Sequence, residues 1–180
     1  VFHFSPLLYY MKNKGIGIAA ECLLLIWIGF ILYMSSQSAE NSGHLSRVIT
    51  VQLLKTAEKV GIIAEGESES TLLIAKADEK VRSLAHVTMY FFLGFIFMVI
   101  LWIWGVKQNK RTVIVFFACL GLSIIDEVNQ MQYYGRNSGG LISAGIEDVI
   151  KDTLGICSAI ILFLILKNLF KTSVKVKKSS

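Results

Sequence analysis

Acidic, amide and basic side chains crowd into one part of an otherwise oily chain. Asp126-Glu127 and Gln130 end one hydrophobic run, Glu147-Asp148 and Lys151-Asp152 open the next, and Gly135-Arg136 lies in the turn between them. Earlier, Arg82, His86 and Tyr90 stand four residues apart at the entrance to another run. Helical residues three or four apart share a face, so Asp126 faces with Gln130, Asp148 with Asp152, and Glu147 can pair with Lys151. Such a set supports three kinds of chemistry. Carboxylates hold a hard divalent cation together with a phosphate-bearing ligand, His and Asp exchange protons, and Arg136 can grip a phosphate or carboxylate with two parallel hydrogen bonds. The plain alternative is an internally compensated ion-pair network that only fixes helix packing. His86 taken alone reads first as a hydrogen-bonding residue and only second as a ligand.

The surroundings make this crowding costly. The sequence is 54% hydrophobic and 17% charged, against roughly 25% charged for a soluble domain. Its mean hydropathy of +0.60 is that of an integral membrane protein. A charged residue at membrane depth costs roughly 2.5 to 3.5 kcal/mol on insertion scales, so charges gathered at two neighbouring helix ends require a reason. The net charge of +5 does not indicate nucleic acid, because the basic residues are spread over short segments beside the hydrophobic runs and form no stripe that could follow a phosphate backbone. Cys22, Cys119 and Cys157 each fall inside a hydrophobic run. They read as small apolar packing residues, with no disulfide expected.

These residues need four helices to position them. Span one runs from about Ile16 to Met34 and contains Glu21, which either snorkels near the interface or meets a basic partner on a neighbouring helix. Ser35-Ser36-Gln37-Ser38 ends it. The long connection that follows should carry structure of its own. Leu45, Ile49, Leu53, Ala57 and Val60 recur at helical spacing, widened by Val48, Val51 and Leu54; the pattern predicts an amphipathic helix that lies on the membrane or caps the bundle and stops at Gly61. Glu65 to Glu69 reads as a solvated turn, and Leu72 to Val81 as a second short helix leading to span two, Val87 to Val106, with Trp102 and Trp104 as interfacial anchors. Lys107, Lys110 and Arg111 form a basic hairpin. The apolar runs Thr112 to Ile125 and Thr153 to Leu166 are each only about 14 residues, or about 21 Å, too short to cross. Helix three must therefore continue through Asp126 to about Gln132, and helix four must begin before Asp152 and include Asp148. Two short runs imply one recessed polar pocket.

Lysines and arginines set the orientation. Lys12, Lys14, Lys107, Lys110, Arg111, Lys167, Lys171, Lys175, Lys177 and Lys178 fall on one side, and the acidic segments on the other. Both termini are thus expected in the cytoplasm and the pocket outside it. Residues 1–14 form an N-terminal cytoplasmic segment, in which Met11 makes a natural start; 15–166 form a single four-span domain, and 167–180 a basic cytoplasmic tail. The expected fold is all-α: an integral membrane four-helix bundle with an extracytoplasmic amphipathic helical loop between spans one and two.

The chain resembles the VanZ-like membrane proteins, named from the teicoplanin-resistance protein of glycopeptide-resistance gene clusters. The resemblance covers about Ile16 to Leu166. It rests on Ser35-Ser36-Gln37, Arg82, His86 and Tyr90, Asp126-Glu127 with Gln130, Gly135-Arg136, and Asp148, Asp152 and Gly155. Asn129 departs from the pattern, since many relatives carry histidine before the glutamine. Asp152 stands where asparagine or aspartate occurs. The resemblance implies a bacterial cell-membrane protein linked to glycopeptide tolerance. With it, Arg82, His86, Tyr90, Asp126, Glu127, Gln130, Arg136, Asp148 and Asp152 become the expected ligand-binding residues. The ligand would be a lipid-linked cell-wall precursor headgroup or the glycopeptide itself, met within the lipid bilayer. No cofactor is expected, and the sequence leaves the oligomeric state open. A membrane-embedded hydrolase or transferase acting on a lipid phosphate is the alternative, although neither a nucleophile with its base nor a complete metal-ligand motif is legible. A small lipid or ion transporter is a third reading, because intramembrane carboxylates also mark translocation paths.

Overall fold

Pattern and breakers together determine five α-helices among the described residues. A computed structural model describes the backbone of residues 6–37, 39–131 and 143–179, and the side chains of 15–37, 40–130 and 145–169. The helices are α1 (Pro6–Ser35), α2 (Ala39–Lys59), α3 (Thr71–Ile103), α4 (Gln108–Met131) and α5 (Ser143–Ser179), with a short 3-10 turn at Glu67–Glu69. No strand occurs among the described residues. The segments Gly15–Ser35, Thr71–Ile103, Gln108–Gln130 and Gly145–Leu169 are long and apolar enough to cross a membrane. This is an all-helical membrane protein.

Helices α4 and α5 run straight through their charged residues, as the two short apolar runs require. The expected short helix at 72–81 is instead the first part of α3. Ser70 caps α3 by accepting a hydrogen bond from the Leu73 N–H at 3.4 Å, and neither glycine nor proline interrupts the chain from Thr71 until Gly94. Nothing local therefore stops the helix at Val81. At 33 residues α3 is about 50 Å long, well beyond the roughly 30 Å of a hydrocarbon core. Its exit comes at Gly105, where φ is +74°. The Gly105 and Val106 N–H groups bond back to the Trp102 and Leu101 carbonyls, the Schellman closure that favours glycine. Gly61 ends α2 in the same way, with φ +76°. After it, Glu58 accepts from the Gly66 N–H; hydrogen bonds from Ser68 and Gly66 hold its carboxyl below the usual range.

Helix α2 packs on the first half of α3, but not through its apolar stripe. Its buried residues are Ser46 and Thr50, and Thr50 bonds through Oγ1 to Asp78 Oδ1 at 3.3 Å. Leu45, Val48, Ile49 and Leu53 are exposed. That leaves the apolar face open and outside any packed core: Leu45 and Ile49 line a cavity shared with α1 and α3, and Val48 and Leu53 are exposed, as on a helix that rests in a membrane interface.

The bundle centres on α3, which meets α1, α4 and α5. Helix α1 is tied to it by two indole N–H donors: Trp27 to the Met89 carbonyl at 2.9 Å, and Trp104 to Glu21 Oε1 at 2.8 Å. The partner of Glu21 is thus an indole and not a basic group. Arg111, expected in the basic hairpin, is buried, with its guanidinium carbon 5.0 Å from the Phe163 ring centre. A ring face on α5 accepts the planar cation, which a lysine ammonium would match less well.

Small residues let α3 and α5 approach closely, as in helix pairs that cannot rely on water exclusion. A Cβ on Gly155 would collide with the Val87 carbonyl oxygen and lie 2.9 Å from the Phe91 nitrogen. A Cβ on Gly94 would lie 3.3 Å from the Ala159 methyl. The first obstacle is backbone far inside contact distance; the second is a methyl fixed to its backbone, but one that need shift by only a few tenths of an ångström. Overpacking typically costs about 1–3 kcal/mol, and alanine regains up to about 1 kcal/mol of helix propensity. Gly155→Ala should therefore lose stability at or above the top of that overpacking range, and Gly94→Ala little. Unfolding of the detergent-solubilised variants measures both; equal stabilities would refute this seam.

Candidate functional site

The same close approach sets the register of the polar residues. Val87, whose carbonyl touches Gly155, follows His86, while Asp152 lies one turn before Gly155. His86 Nδ1 is consequently 3.1 Å from Asp152 Oδ1, and its Nε2 is 3.9 Å from Asp148 Oδ2. Both aspartates of the predicted face thus flank one imidazole. From α4, Ser123 donates through Oγ to Asp152 Oδ2 at 2.6 Å. Two turns on, Gln130 Nε2 lies 3.2 Å from both Asp126 Oδ2 and Glu127 Oε1. The end of α1 closes the group: Ser35 Oγ donates to the Asp126 carbonyl at 3.2 Å and accepts from Asn129 Nδ2 at 3.0 Å.

The site is deeply desolvated. Asp152 is 0% exposed, Asp126 2% and Glu127 5%. Tyr90, one turn beyond His86, is fully buried, and its hydroxyl has no partner among the described residues. Asp126 Oδ1 is likewise without one. Lys151 bonds to Asp148 at 2.5 Å, not to Glu147 as the spacing allowed, because Asp148 lies toward the bundle whereas Glu147 is exposed. Arg82 pairs with Asp78 on its own helix at 3.6 Å and lines the rim of an adjoining cavity. Asp126, Glu127 and Asp152 therefore have His86 as the one neighbouring ionisable base among the described residues. Arg136 and Gly135 lie outside the described residues.

A cavity of about 120 Å³ opens beside the cluster. His86, Asp126, Gln130 and Arg82 give it a polar side; Ile31 and Met34 of α1, Leu45 and Ile49 of α2, and Val81, Ala85 and Met89 of α3 give it an apolar wall.

Sequence reasoning missed Ser123 as a site residue and read Ser35 only as the end of a span. Ser123 had a signal: it is the lone hydroxyl in the run Val113–Ile125, one turn before Asp126. Ser123, Asp152 and His86 form a hydrogen-bonded chain, yet not one that activates a nucleophile. The hydroxyl sits on the carboxylate, whereas a serine nucleophile needs the imidazole as its base.

A model of the VanZ/LLP1 family matches residues 21–167, a stretch that holds every site residue described above. The chain belongs to the VanZ/LLP1 family. No curated protein and no solved structure matches it. Within this family member, Gly155 has a role the sequence alone did not assign: it admits the α3 backbone and so delivers Asp152 to His86. Removing Ser123 Oγ would leave a fully buried carboxylate oxygen unsatisfied, which costs about 1–3 kcal/mol or more. Ser123→Ala should destabilise by that amount, while Glu147→Gln should stay within about 0.5 kcal/mol of the parent. Parallel unfolding of the two variants checks both values.

Proposed function

We propose that the recess binds the headgroup end of an envelope amphiphile and that this capture underlies tolerance to teicoplanin-type glycopeptides. The observation that carries the reading is the two-sided cavity: an apolar wall from three helices beside a desolvated floor of His86, Asp126 and Gln130. An amphiphile matches both sides at once, with its tail along the wall and exposed apolar face of α2 and its polar end on the floor. Size narrows the choice. About 120 Å³ accommodates on the order of ten waters, which suits a compact headgroup or the acyl-bearing edge of a glycopeptide and not a whole antibiotic. A lipid-linked cell-wall precursor held by its head is therefore favoured over enclosure of the drug. The basic flanks support a cytoplasmic location for both termini, with the recess facing the extracytoplasmic side of a bacterial membrane.

A hydrolase or transferase acting on a lipid phosphate draws support from one observation, the convergence of His86, Glu127 and Asp152. It lacks a nucleophile with its base among the described residues, so binding is the better-supported reading.

In cells made tolerant by this chain, Asp126→Asn, expressed at the parental level, should return teicoplanin susceptibility to that of the empty vector. Lipid that co-purifies with the parent should be depleted from the variant, as read by mass spectrometry. Unchanged susceptibility together with unchanged lipid content would refute the proposal.

A further inference from the structure

We infer that His86, Glu127 and Asp152 form a three-ligand site for a first-row divalent transition ion of the zinc class. The inference rests on reading this recess as a ligand site, and goes beyond it by naming an ion that the amphiphile reading does not require. One donor atom from each residue can be chosen so that all lie within 4.8 Å of one another. Donors around one tetrahedral ion at about 2.0–2.2 Å are roughly 3.4 Å apart. The difference is within reach of side-chain rotation about Glu127 and His86.

Three independent features point to a cation. The first is charge: Asp126, Glu127 and Asp152 are all nearly devoid of solvent contact, and Lys151 and Arg82 are engaged with Asp148 and Asp78. Carboxylates in a low-dielectric site either take up protons or gather a counter-charge, and a divalent ion supplies more counter-charge than one imidazolium. The second is an incomplete hydrogen-bond set. The Tyr90 hydroxyl and Asp126 Oδ1, on residues 0% and 2% exposed, have no partner among the described residues. Both belong to the same group: Tyr90 is one turn from His86, and Asp126 shares the Gln130 amide with Glu127. A hydrated ion would present water to both. The third is support behind the ligands. Ser123 Oγ holds Asp152 Oδ2, and Gln130 Nε2 holds Glu127 Oε1, as donors behind metal-binding carboxylates do.

The donor types select the ion class. An imidazole with two carboxylates suits zinc and its neighbours, whereas calcium and magnesium prefer oxygen alone. Three protein ligands leave coordination positions open, and the cavity beside His86 and Asp126 gives access to them. An oxygen of a bound headgroup could then complete the shell.

The test uses the full chain, free of any affinity tag, in detergent. After chelator treatment, loading with Zn²⁺ and desalting, the parent should retain about one zinc per chain. Zinc should raise its unfolding temperature, and Co²⁺ in its place should give visible absorption bands. Glu127→Gln and Asp152→Asn should each weaken zinc binding at least about tenfold, while His44→Gln, on the exposed face of α2, should bind as the parent does. Folded parent protein that retains no zinc and shows no Co²⁺ bands would overturn the inference, whatever the variants do. Equal retention by folded Glu127→Gln and Asp152→Asn would overturn it too. Zinc binding with no effect of Asp126→Asn on susceptibility or lipid content would leave this site standing and remove only the tolerance reading. Lipid retained by the zinc-free parent would separate the two in the opposite direction.

Discussion

The contact between the Gly155 α-carbon and the α3 backbone at Val87 is the constraint on which the site depends. In a bilayer, helices gain nothing by hiding apolar side chains from each other, since lipid tails are equally apolar. Close backbone approach is what remains, and only glycine permits it where a Cβ would meet a carbonyl oxygen. Once α3 and α5 are pressed together at this point, the residue before Val87 and the residue one turn before Gly155 must meet. They are His86 and Asp152. The other members follow from that pair: Ser123 reaches Asp152 from α4, and the next two turns of α4 carry Asp126, Glu127 and Gln130 to the same place.

The second organising fact is the electrostatic load this places in the bundle. Buried carboxylates are costly unless paired, hydrogen-bonded or neutralised. Here the outer charges are served locally, with Asp148 by Lys151 and Asp78 by Arg82, while the inner ones rely on His86, Ser123 and Gln130. A network that existed only to fix packing would be expected to satisfy its own members. Tyr90 and Asp126 each keep a polar atom without a partner among the described residues, which is the feature the proposed ion site draws on. At the opposite end of the bundle Arg111 over Phe163 shows how a lone cation is held by contrast: an aromatic face and no carboxylate.

Several pieces of this arrangement were legible in the sequence because they depend on counting along one helix. The short apolar runs before Asp126 and after Asp152 required both helices to carry their charges inward, and they do. Spacing placed Asp126 with Gln130 and Asp148 with Asp152 on shared faces. Counting failed where two outcomes were locally equal. Lys151 could reach Glu147 or Asp148, and burial of the latter decided it. The apolar stripe of α2 left open whether the helix lies on the membrane or caps the bundle, and gave no sign that Ser46 and Thr50 would be its buried residues, because in a membrane protein an apolar face has lipid as an alternative to the core. No breaker separated 72–81 from span two, so the expected boundary had no physical basis.

By itself the sequence determined the solvent, the number of crossings and the set of polar residues that need a reason to lie at membrane depth, since these follow from hydropathy, helix rise and periodicity. Only the tertiary structure decided which of those residues meet. Helix faces fix direction but not rotation or depth relative to a neighbour, and those are settled by where backbones can touch. One glycine opposite one carbonyl set that register, and with it the His86, Glu127 and Asp152 cluster.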